Sequence, residues 1–167
     1  HCYRLVKRSY RPEVQLLSVY LNRGVIPYDQ SDGRQVHKPS ESLEKYQSVF
    51  PKDLVLNNQQ AWRGSIGISE WEGIISPAYH VFEPFSDDLM PQYANSLFRI
   101  ALVPQFDLVS RGVGTIQKCI SVPDFLNTAI VFIPPLEEQG AICRQIELKS
   151  AAIDSSVVSK QSIIEEL

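Results

Sequence analysis

The sequence predicts an α+β protein: a β-rich body with small inserted helices over residues 1–135, followed by one long helix over residues 136–167. Three observations predict it. From Val14 to about Pro134 short apolar runs are broken by turn formers, the pattern of a protein built from short strands. Pro134-Pro135 then punctuates the chain, and beyond it there is no proline and no glycine except Gly140. In that last segment Ile142, Ile153 and Ile164 stand 11 apart, as do Ile146 and Val157, and Lys149 and Lys160.

Taken in order, residues 15–20 form a β-branched and aromatic-bearing run closed by Asn22-Arg23-Gly24, and residues 53–56 form another short strand candidate. Residues 65–69 alternate with period two. Glu72-Gly73 supplies a turn, and residues 74–82 follow as a second strand interrupted at Pro77, so the spacing predicts a hairpin. Residues 91–103 read as a helix, because Pro91 suits a first turn and Tyr93, Leu97, Ile100 and Ala101 recur at helical spacing. Residues 129–133 are a short apolar strand candidate. Glu137 and Glu138 then open the final helix, where the helix dipole favours carboxylates.

An 11-residue repeat corresponds to about 3.67 residues per turn, which keeps a stripe nearly straight along a helix. A stripe of Ile142, Ile146, Ile153, Val157 and Ile164, with lysines interleaved, needs a surface to cover it. That surface is a partner helix, from another copy or another part of a longer chain, or else the body onto which the helix folds back. The sequence begins without Met and stops within the helix, so the expectation is a segment of something longer.

Composition narrows the function. With 44% hydrophobic residues the chain fits a compact globular domain. No stretch approaches the ~20 continuous apolar residues of a membrane span, and the first residues carry no signal-like core, so the expectation is a cytoplasmic protein without a membrane partner. Cys2, Cys119 and Cys143 are widely spaced and read as reduced thiols, and His1, His37 and His80 form no metal-ligand group. The net charge of −3 argues against indiscriminate coating of nucleic acid. Its distribution is uneven. Arg4, Lys7, Arg8, Arg11, Arg23, Arg34 and Lys38 oppose only Glu13, Asp29 and Asp32 in residues 1–40, and Arg99, Arg111 and Lys118 oppose Asp107 in residues 99–123. One basic face on an acidic body and an ordinary solvated mixture both fit these numbers.

Specific residues carry a family resemblance. Leu16-Leu17-Ser18-Val19-Tyr20 with Gly24-Val25-Ile26-Pro27, then Asp53-Leu54-Val55-Leu56-Asn57, Trp62-Arg63-Gly64-Ser65-Ile66-Gly67-Ile68-Ser69 and Gly73-Ile74-Ile75-Ser76-Pro77-Ala78-Tyr79 stand in the order seen in target-recognition domains. Ile133-Pro134-Pro135-Leu136-Glu137-Glu138-Gln139, with Ala152-Ile153-Asp154 further on, resembles the passage from such a domain into its conserved helical region. Over about residues 14–167 the chain thus resembles one recognition unit of the specificity subunit of type I restriction-modification systems. A full subunit holds two such units, and residues 1–13 match no motif.

The resemblance implies a twisted, double β-helix-like body over 1–135 and a spacer and dimerisation helix of coiled-coil type over 136–167. It implies sequence-specific binding of double-stranded DNA, one half of a bipartite target, without catalysis. Partners implied are the methyltransferase (modification) subunit, the restriction subunit, and a second recognition unit or self-dimer through the helix. The recognition domain of a fused type II restriction-methyltransferase is an alternative, as is a protein-interaction module assembling through its helix. No cofactor is expected: Gly112-Val113-Gly114-Thr115 lacks the third glycine of a dinucleotide fingerprint, and no Asn-Pro-Pro-Tyr-like methylation motif occurs. Asp87-Asp88 and Glu137-Glu138 read as a solvated loop and a helix start.

Reading DNA requires Arg and Lys for phosphates or guanine, and Asn and Gln for adenine. Three polar segments qualify. The first follows Pro27 and contains Gln30, Ser31, Arg34, Gln35, His37 and Lys38; the second is Asn57-Asn58-Gln59-Gln60 with Trp62 and Arg63; the third is Arg111 with Thr115, Gln117 and Lys118. Each is equally readable as a surface loop without contacts.

Overall fold

The computed structural model describes residues 2–21, 23–30, 39, 42–113, 117–128 and 132–165. Its centre is a four-stranded antiparallel sheet in the order β1-β8-β5-β6, made of β1 (Tyr3–Val6), β8 (His80–Pro84), β5 (Leu54–Leu56) and β6 (Ile66–Ile68). Beside it lie three two-stranded pairs. These are β2 (Leu17–Tyr20) with β3 (Gly24–Pro27), β4 (Gln47–Val49) with β7 (Gly73–Ile75), and β9 (Arg111–Val113) with β10 (Gln117–Cys119). The helices are α1 (Pro91–Ser96), α2 (Val103–Val109), α3 (Val122–Thr128) and α4 (Leu136–Glu165), and 3-10 turns occur at Tyr28–Gln30 and Ala61–Arg63.

The central sheet is covered on both faces, which explains why its strands read as continuous apolar runs. Leu54, Leu56, Ile66 and Phe82 face one core with Phe98, Leu102, Phe106 and Phe125 from the helical side. Val55 and Val81, one residue out of step, face a second core with Leu17, Val19, Val25, Val49 and Ile75 from the flanking strand pairs. Successive strand residues point to opposite faces, so one apolar run serves both cores. Phe125 of α3 sits among Phe82, Phe98 and Phe106, with ring centroids 5.2, 6.1 and 5.4 Å away.

Close backbone approach holds the flanking pairs in place. A Cβ on Gly73 would lie 2.5 Å from the Gln15 carbonyl oxygen and 2.6 Å from Leu17 Cγ, where Ile74 N–H donates to that same Gln15 carbonyl. A Cβ on Gly67 would lie 3.0 Å from Gly24 Cα. Only glycine lets β7 and β6 come this near to β2 and β3.

The N-terminal segment, which matches no motif, is tied in by charge. Arg8 bridges Asp53, only 2% exposed, and Glu83, donating to Glu83 at 2.7 Å while its guanidinium lies over the Phe50 ring. Asp53 also accepts from Phe50 N–H at 2.7 Å. Burial pushes the Asp53 carboxyl up, against the pull of Arg8; hydrogen bonds from Arg8 and Arg4 hold Glu83 below the usual carboxylate range. Beside this cluster burial pushes the Tyr3 phenol up to about 12.

Three expectations need correction. Residues 65–69 and 74–82 do not form a hairpin: β6 pairs with β5, β7 with β4, and β8 with both β1 and β5. The run 74–82 is divided at Pro77, and its two halves enter different sheets, β7 beside β4 and β8 between β1 and β5, although Ile75 and Val81 share the second core. The helix over 91–103 is interrupted: α1 passes into a π-helical turn at Leu97–Ala101, and α2 restarts at Val103 with proline in its first turn. Pro104 has no N–H for the carbonyl four residues back, so the helix cannot run through. Residues 129–131 of the last strand candidate lie outside the described residues, and Phe132 and Ile133 are not in a strand.

The final helix forms as expected and stands away from the body along most of its length. Its root is fixed by Gln139, which is fully buried. Gln139 Nε2 donates to the carbonyls of Asp88 (2.7 Å) and Pro134 (2.8 Å), and Oε1 accepts from Met90 N–H (2.8 Å). Beyond Cys143 every described residue is exposed. At about 100° per residue, Ile142, Ile146, Ile153, Val157 and Ile164 fall within about 60° of one another. Along that stripe exposure goes from half-buried Ile142 to 37% at Ile146 and 70% at Ile164, so the body does not cover it. No helix among the described residues is long and apolar enough to cross a membrane.

Candidate nucleic-acid interface

Two of the three polar segments chosen from sequence meet in space. The 3-10 turn Ala61–Arg63 carries Trp62 to the surface and ends at Gly64, whose φ of 92° is left-handed and suits glycine. The turn is held by its own backbone: Gln60 carbonyl accepts from Arg63 N–H (2.9 Å) and Ser65 N–H (3.1 Å), and Trp62 Nε1 donates to the Gln59 carbonyl at 3.0 Å. From the other side comes the β9-β10 pair. Ile120 N–H donates to the Asn58 carbonyl at 2.9 Å, which brings Lys118 of β10 over the Trp62 ring, 5.1 Å from its centroid. Arg63 lies 5.6 Å from the same ring. Lys118 is also braced by Asp107 of α2 at 2.5 Å.

The result is an aromatic ring with two cations against it, close in sequence to the amides of Asn58 and Gln60. Cation–π contact orients Arg63 without neutralising it, so its charge stays available to an anion, whereas Lys118 is shared with Asp107. Arg111, exposed in β9 opposite Cys119, extends the same element. Gln117 opens β10 opposite Val113. Thr115 lies outside the described residues, as do Ser31, Arg34, Gln35, His37 and Lys38 of the first segment. Gln30 is exposed, and its carbonyl accepts from Arg23 Nη1 at 3.0 Å.

Two features had no sequence signal. An open cavity of about 510 Å³ is walled by Tyr28, Tyr46 and Tyr79, with Lys45, Asn57 and Gln59 at its polar side. Burial pushes the Tyr79 phenol up, against a hydrogen bond with Ser18. The tyrosines come from separate elements at no regular spacing, so only the fold gathers them. The second feature is Arg99, in the π-helical turn, whose buried Nε has no hydrogen-bond partner. Among the described residues no three His, Cys, Asp or Glu side chains are grouped to hold a metal ion.

A two-core β body with an aromatic and cationic surface and a projecting helix is the architecture these residues define. Among solved structures that architecture has a counterpart in a chain of a type I R-M system, reported under "Structural basis underlying complex assembly and conformational transition of the type I R-M system". The similarity covers 99% of this chain with a TM-score of 0.59 at 16% sequence identity, a likeness of fold. This chain spans 41% of the length of that one. No protein-family model matches the sequence, and no curated protein matches it.

Proposed function

We propose that this chain is a DNA-recognition module of a type I restriction-modification system, reading one half of a bipartite target and carrying no catalysis itself. The observation that carries the reading is the shared fold over 99% of the chain, helix included, with a chain of such a system. The residue division follows the notion of reader and spacer: 1–135 reads, and 136–167 pairs with the helix of a second unit, in the manner of a coiled coil. The adenine methyltransferase and restriction subunits dock on the assembled pair.

The Trp62, Arg63 and Lys118 cluster supports the DNA side of the reading. It offers charge for phosphates and a flat apolar face, while Asn58 and Gln60 stand next to it with amides suited to base edges. Mapping methylated adenines in DNA exposed to this chain with its methyltransferase tests the whole reading. One recurrent half-site is expected; methylation independent of sequence would refute it. Substituting Arg111 or Lys118 with Ala is expected to weaken duplex binding while leaving the melting temperature unchanged. Unaltered affinity would remove this surface from the site.

A second reading has its own observation. The exposed stripe on α4 would equally serve a protein-interaction module that assembles through its helix and binds no DNA. Stable self-association without any duplex binding would favour it.

A further inference from the structure

Arg99 is a cation held in a costly place. Its Nε is buried without a hydrogen-bond partner, and the side chain as a whole is half-buried. Among the described residues no carboxylate answers it, and burial alone holds the guanidinium below its ordinary value. A buried charge is normally paired, because desolvation without compensation destabilises the fold. The arginine of the N-terminal segment that reaches into this body, Arg8, is paired twice, with Asp53 and Glu83.

The surroundings of Arg99 are shaped to receive it. Its guanidinium lies against Gly24, where a Cβ would come 3.4 Å from Nε and 3.5 Å from Cζ. Its carbonyl oxygen lies against Gly64, 3.4 Å from where a Cβ would stand. Both glycines have left-handed φ, 75° and 92°, and both directly follow an exposed arginine, Arg23 and Arg63. Two Arg-Gly turns therefore meet Arg99, the one of the β2-β3 pair at its guanidinium and the one after Ala61–Arg63 at its backbone carbonyl. Arg99 itself sits in a π-helical turn, an insertion that rotates its side chain relative to a regular helix and recurs at functional sites.

We propose that Arg99, between the Arg23-Gly24 and Arg63-Gly64 turns, is a phosphate-binding residue that receives a backbone phosphodiester of duplex DNA. The proposal rests on the DNA-recognition reading and deepens it. Guanidinium forks match phosphate oxygens better than any other side chain, and with Nε enclosed by the fold it is the terminal nitrogens, without a partner among the described residues, that meet the phosphate. Contiguity favours DNA over a small anion. Its side chain adjoins Gly24, next in sequence to exposed Arg23, and its backbone adjoins Gly64, next to Arg63 of the Trp62 and Lys118 cluster, so Arg99 is tied to two cation-bearing turns and does not stand alone.

The test follows the Arg99 Nε–H resonance in the intact chain, assigned by its loss in Arg99→Lys, during titration with inorganic phosphate and with a mixed-sequence duplex. Duplex affinity is measured in parallel against salt for wild type, Arg99→Gln, Arg99→Lys and the control Arg4→Gln. The expected result is a shift of the resonance by duplex, an affinity loss of about tenfold in Arg99→Gln that is uniform across sequences, and a salt slope shallower by about 1. Arg99→Lys retains part of the affinity, and Arg4→Gln leaves it unchanged. Duplex binding with an unmoved resonance and unchanged slope would overturn the proposal while leaving the DNA reading intact. A shift by inorganic phosphate without any duplex binding would overturn the DNA assignment of the site and the DNA reading together, leaving a small-oxyanion site. No shift with either probe would overturn the site itself.

Discussion

The β body and the distal part of α4 use the same kinds of apolar residue to opposite ends. In the body, Leu54, Val55 and Leu56 are successive and all fully buried, because each face of the central sheet meets its own core. In α4, Ile153, Val157 and Ile164 form an equally regular stripe and lie 62%, 48% and 70% exposed. The difference teaches that the central sheet satisfies its hydrophobic surface within the described chain, whereas the helix leaves its stripe for something else. Gln139 marks the frontier between them. Its three hydrogen bonds bind the first turn of the helix to Met90, Asp88 and Pro134, and nothing comparable holds the helix further on.

Substitutions on either side of that frontier should separate the two regimes. The largest effect is expected from Phe125→Ala, which opens a void among three aromatic rings; urea unfolding should show a loss of about 3–5 kcal/mol. A loss below about 1 kcal/mol would mean that the helical side is not part of the core. Gln139→Ala leaves the Met90 N–H and two carbonyls without their partner, at a cost of about 1–3 kcal/mol. Hydrogen exchange should then rise in the first turns of α4 and stay unchanged in the central sheet.

A smaller effect belongs to His80, on the first-core face of β8 opposite Leu56. Burial, with Lys7 nearby, holds its imidazole below the ordinary value of 6.5. The unfolded chain therefore takes up this proton first, so the stability His80 contributes is present above that value and declines as pH falls through it. Melting temperatures between pH 8 and 5 should fall less steeply in His80→Gln than in wild type, and parallel curves would refute the assignment. The smallest effect on stability should come from Ile153→Lys with Val157→Lys, within about 0.5 kcal/mol because both are exposed. The same double variant should abolish association through the helix in sedimentation experiments. If instead it lowers the melting temperature by several degrees, the stripe packs on its own body.

Much of this contrast was legible in the amino-acid order. The strand positions near Leu17, Leu54, Ile66 and Ile74, the start of α4 after Pro134-Pro135, and its 11-residue stripe all follow from local pattern. Pairing was not. The expected hairpin between residues 65–69 and 74–82 failed because period-two alternation identifies a strand without naming its neighbour. Gln139 illustrates the same limit: within a helix-opening run it reads as one more polar residue, yet it is the buried anchor of that helix.

The candidate surface divides in the same way. Asn58, Gln60 and Arg63 on one segment and Arg111 and Lys118 on another were chosen for residue type, and the meeting of Arg63 with Lys118 at Trp62 depends on the Ile120–Asn58 backbone contact. Arg99 carried no signal beyond its charge. What makes it distinctive is the absence of an acid beside it among the described residues and two glycines against it, both properties of neighbours distant in sequence. By itself the sequence determined the mixed α+β class, several of the strands and the place and stripe of the long helix, because periodicity and turn chemistry act over a few residues. The tertiary structure alone decided which strands pair, which cations remain unpaired and which apolar face stays open, because burial and charge compensation depend on contacts between remote parts of the chain.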